Sequence, residues 1–116
     1  MSTEIKINKK TALNKSSGVL EELYNEVNNI ILQKQMVLNI ELSEFMDVMN
    51  DFININGYLH IDDFITTSGN VQILLELLEP AINKLKKELP DFTINALWGF
   101  YKELMIYGDE LRTQGK

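Results

Sequence analysis

The 116-residue sequence contains no cysteine, two prolines, a single arginine (Arg112) and a single histidine (His60). Without cysteine there is no disulfide framework, no thiolate nucleophile, no Cys-x-x-Cys redox pair and no thiolate-held zinc or iron–sulfur centre. One histidine is too few for an HExxH zinc site. A carboxylate-bridged di-metal bundle wants Glu-x-x-His on two helices, whereas Gly57 stands three residues before His60. No GxSxG elbow, GxxxxGK[ST] phosphate loop or GxGxxG turn occurs. No run approaches the roughly 18 apolar residues of a membrane span. The opening MSTEIKINKK has lysines but no apolar run after them, and neither Ser2 nor the final TQGK forms a lipidation motif, so no signal peptide or lipid anchor is expected. These absences favour a cytoplasmic protein that is not an enzyme, uses no metal or cofactor and has no membrane partner.

Basic charge is also scarce, and it is unevenly placed. The formal net charge is -6, yet residues 1–16 hold four lysines (Lys6, Lys9, Lys10, Lys15) against Glu4, so this end is +3 and the remainder -9. Between Lys34 and Lys84 there is no lysine or arginine, while Glu41, Glu44, Asp47, Asp51, Asp62, Asp63, Glu76 and Glu79 supply eight negative charges. A one-signed stretch of this length repels itself when compact and creates a coherent negative field. The plain explanation is a solvated face that favours solubility; the functional one is a docking surface for a basic partner.

What is present is apolar spacing of helical period. Residues 1–16, polar and lysine-rich, read as a flexible basic arm in which EIKI alternates like a short strand. From Ser17, Leu20, Leu23, Tyr24, Val27, Ile30 and Ile31 recur at intervals of three and four, which predicts a helix fading by Met36. A second helix is expected from Ser43, with Phe45, Met46, Met49 and Phe52 inward and Asn39 breaking a loop before it. Gly57 and Gly69 bracket a region of turns and a short helix near residues 62–66. Val71 to Leu89 predicts a third helix, kinked or broken near Pro80, whose ring removes a donor and clashes with the preceding turn. Residues 90–112 predict a last helix, in which Gly99 marks a close crossing or a partner contact. The expected fold is all-α: an acidic single-domain bundle of four main helices over residues 17–116, with the arm attached.

Three constellations are candidates for function. Glu41, Glu44, Asp47 and Asp51, spaced three, three and four apart, form an acidic ridge on a helix, extended by Asp62 and Asp63. Residues 54–64 share a glycine and a terminal acid with a calcium loop. In that register, however, the first ligand falls on Phe52 and the last on Asp63 in place of the longer glutamate, which makes a poor site. Trp98, Tyr101 and Met105 give the last helix a wide face with residue types enriched at interfaces. The reading that follows is a small acidic module that binds another protein, one with a basic surface, and inhibits, neutralises or chaperones it. Immunity proteins, antitoxins and phage inhibitors share this physical profile, although no motif ties the chain to them. The alternative is a homo-oligomer assembled through the last helix. Direct nucleic-acid binding is disfavoured because the body is too acidic to follow a phosphate backbone.

Overall fold

The computed structural model describes residues 2–53 and 57–116. The chain runs β1 (Ser2–Ile7), β2 (Lys10–Ser16), α1 (Ser17–Gln33), α2 (Ile40–Phe52), β3 (Gly57–His60), a 3-10 turn (Ile61–Asp63), α3 (Ser68–Leu85) and α4 (Asp91–Thr113). The expected all-α bundle is thus corrected to an α+β fold, because the segment read as a flexible arm forms two strands of a mixed three-stranded sheet. The order is β2-β1-β3, with β1 antiparallel to β2 and parallel to β3.

The hairpin follows from two local features. Thr3, Ile5 and Ile7 are buried while Glu4 and Lys6 between them are half-buried, the period of two that a sheet requires. Asn8 and Lys9 both take left-handed φ, 51° and 68°, as in the two-residue type I′ turn whose twist matches the flanking strands. Ala12 is an extra residue in the ladder, since Ile5 faces Leu13 but Lys6 faces Thr11. Leu13, Ile5 and Leu59 form one buried row across the three strands.

The helices begin and end on recognisable chemistry. Ser16, one residue before the expected cap, accepts from Val19 N at 3.4 Å. At the other end of α1, Gln35 turns left-handed (φ 52°), Met36 N donates to Ile31 O and Gln35 N donates to Leu32 O, which closes a Schellman turn. Asn39 is the cap of α2 and accepts from Leu42 N at 3.1 Å, so this helix starts at Ile40 and not at Ser43. Pro80 does not break α3, which continues to Leu85. Pro80 and Glu76, whose carbonyl loses the Pro80 donor, both lie on the exposed side, where water can replace that donor. α3 is the central helix, packed against α1, α2 and α4, and α4 in turn supports β2 and β1. Gly99 faces open space. The close crossing is at Gly108, where an added Cβ would sit 2.8 Å from Val71 Cγ1.

Candidate partner-binding surface

The residues of the expected acidic ridge separate into different environments. Glu41 turns inward: its Oε1 accepts from Thr66 N at 2.8 Å and Asn70 Nδ2 at 2.9 Å, and its Oε2 accepts from Thr66 Oγ1 at 2.6 Å. Asn70 Oδ1 also accepts from Asn39 Nδ2 at 2.7 Å, so Glu41 ties the start of α2 to the start of α3. Burial alone would raise the Glu41 carboxyl, but the hydrogen bonds from Thr66 and Asn70 prevail and hold it below the ordinary carboxylate value. Glu41 is therefore a structural clamp and leaves the ridge.

Glu44, Asp47 and Asp51 remain, exposed on the outer side of α2. Asp62 is half-buried and accepts from Asn8 N at 3.1 Å, and Asp63 is exposed beside it in the 3-10 turn. Four of the lysines are engaged elsewhere. Lys10 Nζ reaches Glu103 at 3.3 Å, Lys6 Nζ lies 3.9 Å from Glu4 and 4.7 Å above the Tyr58 ring, and Lys15 Nζ lies 5.2 Å from the Phe92 ring. Lys84 Nζ meets the enclosed Glu26 Oε2 at 3.3 Å, an ion contact without hydrogen-bond alignment. Among the described residues, none of the eight carboxylates between Lys34 and Lys84 has an ion-pair partner.

Trp98, Tyr101 and Met105 are brought together along α4 where it borders α3. The Trp98 and Tyr101 rings meet edge to face, with centroids 5.4 Å apart and planes at 80°. Tyr101 Oη donates to Glu79 Oε2 at 3.3 Å. Burial, then the charge and hydrogen bond of Glu79, push the Tyr101 phenol up. Trp98 and Tyr101 are half-buried against the core, while Met105 is exposed.

The sequence reading missed two features. The first is a concavity of about 580 Å³ where the β1–β2 turn meets the C-terminal part of α4, lined by Asn8, Asp62, Thr66, Tyr107, Glu110 and Gln114. Asn8 spans it, donating from N to Asp62 and from Nδ2 to Glu110 Oε2 at 3.2 Å. The buried Tyr107 donates its hydroxyl proton to Ile65 O at 2.6 Å. Burial, followed by the charges of Asp62, Glu41, Glu110 and Asp63, pushes that phenol up, so it stays protonated and is no general base at neutral pH. No spacing rule links Asn8 to Glu110 across 102 positions, so the sequence carried no signal for this site. The second is the elbow between α1 and α2, where Leu32 (66%), Val37 (97%) and Ile40 (79%) are exposed. The dense apolar run VLNI, in a stretch assigned to a loop, was a signal available in the sequence.

The part of the calcium-like loop at 54–56 lies outside the described residues, and its remainder forms β3 and the 3-10 turn. Among the described residues, no group of three His, Asp or Glu side chains could hold a metal ion, and no helix is long and apolar enough to cross a membrane. Comparison with protein families, curated proteins and solved structures gave no match.

Proposed function

We propose that this chain is a small acidic module of the cytoplasm that binds a basic protein and inhibits, neutralises or chaperones it, without catalysis of its own. The observation carrying this reading is the outer face of α2, where Glu44, Asp47 and Asp51 are exposed and lack a cation among the described residues. An ion pair across a protein interface gains specificity and association rate when a complementary charge arrives from outside. Lys6, Lys84 and Lys10 are directed to Glu4, Glu26 and Glu103, and no ion pair among the described residues reaches this face.

Affinity capture with mass spectrometry, repeated with Glu44→Lys, Asp47→Lys and Asp51→Lys together, tests the proposal. Capture of a basic protein by the wild type, lost in the variant while circular dichroism is unchanged, supports it. Capture that is indifferent to the three charges removes α2 as the site. Self-association through α4 is the competing reading, favoured by the exposed Met105 (45%) and Ile106 (48%). A monomer by light scattering at high concentration would exclude it.

A further inference from the structure

Resting on that reading, we infer that the α1–α2 elbow and the outer face of α2 form one seat for a basic amphipathic helix of the partner protein. An apolar side chain of that helix covers Val37 and Ile40, and its lysines or arginines pair with Glu44, Asp47 and Asp51.

The elbow is the starting point. Val37 and Ile40 are among the most exposed large apolar side chains described, and they lie three residues apart. They are not carried on a free loop. On one side the chain is fixed by the Schellman turn, in which Met36 N bonds Ile31 O and Met36 packs against the core. On the other it is fixed by Asn39, which caps Leu42 N and bonds Asn70, itself bonded to Glu41. Between and beside these anchors Leu38 packs against the core, while Val37 and Ile40 are held outward in water. Apolar groups kept outward on a fixed backbone are preorganised for a partner.

Charge then sets the occupant. Ile40, Glu44, Asp47 and Asp51 are spaced four, three and four apart, so they share one face of α2 over roughly 16 Å of helix. A helix lying along α2 repeats its own side chains at the same intervals and can stay in register with all three carboxylates. An extended strand repeats on one face about every 6.6 Å and drifts away from the shorter helical spacing. A second copy of this chain, paired about a twofold axis here, would bring the three carboxylates against themselves, which disfavours self-pairing at this face.

The test is an NMR titration of the labelled full chain with a synthetic lysine–leucine peptide patterned as a one-faced helix, alongside a scrambled peptide of the same composition. The expected result is chemical-shift change concentrated in residues 36–51 and binding by the patterned peptide only. Val37→Ser with Ile40→Ser, at exposed positions that leave the fold intact by circular dichroism, should weaken it at least about fivefold. Equal binding of the scrambled peptide, or unchanged affinity of the serine variant, overturns the seat. Shifts centred on Trp98 to Met105 overturn it too, but leave the basic-partner reading standing. Absence of binding by either peptide, at low salt, counts against both.

Discussion

Glu41 lies on the same helix as Glu44, Asp47 and Asp51, yet its two oxygens accept three hydrogen bonds from Thr66 and Asn70. Spacing places a side chain on a face, but the partner that meets it comes from another element. The carboxyl is held below its ordinary value of 4.5, against the upward push of burial. A lower value in the folded state means that the stabilisation is complete above the unfolded value and is lost as pH falls through the folded one. Glu41→Gln should therefore cost about 1 kcal/mol at neutral pH. Urea midpoints of the two proteins should converge as the pH falls through the lowered folded-state value, where wild-type Glu41 takes up its proton; a gap independent of pH would contradict the clamp. The glycines of α4 give a paired prediction. Gly108→Ala drives a methyl into Val71, a buried β-branched side chain with little rotamer freedom in a helix, and should cost about 1 to 3 kcal/mol. Gly99→Ala, in open space within the same helix, should gain about 0.5 to 1 kcal/mol by thermal or urea unfolding.

Among the elements, the four helices were legible because each presents an apolar stripe long enough to show its period, and Leu20, Leu23, Val27 and Ile31 are buried as that stripe requires. The sheet was not. Its strands are four to seven residues long, β1 carries lysine and glutamate outward, and the turn uses Asn8-Lys9 without the glycine that usually marks a type I′ hairpin. β1 also pairs with β3, more than fifty positions away, which no local pattern records. Of the candidate site, the outward carboxylates of α2 could be read from spacing, whereas the withdrawal of Glu41 and the exposure of Val37 depend on α3 and on the turn after α1. The sheet has a direct test. Ile5 is buried between Leu13 and Leu59, so Ile5→Ala should cost about 2 to 4 kcal/mol by urea denaturation. In a flexible arm the same change would cost nothing measurable.

For the molecule as a whole, the balance of charge matters less than where its cations are used. Of the hairpin lysines, Lys10 and Lys6 pair with Glu103 and Glu4, Lys6 and Lys15 lie over Tyr58 and Phe92, and Lys84 reaches back to Glu26. The basic end therefore neutralises acids outside the lysine-free segment and contributes no ion pair to the eight carboxylates within it. Those carboxylates repel one another in the folded state more than in an expanded chain, which costs stability unless salt screens them. Raising NaCl from about 10 to about 150 mM should thus raise the urea midpoint. The Glu44→Lys, Asp47→Lys, Asp51→Lys variant, with part of the repulsion removed, should be at least as stable at low salt and show a shallower rise. A midpoint that falls with salt would mean that the four ion pairs among the described residues outweigh the repulsion. The outer face of α2 would then be an ordinary solvated surface, carrying no electrostatic strain for a basic partner to relieve.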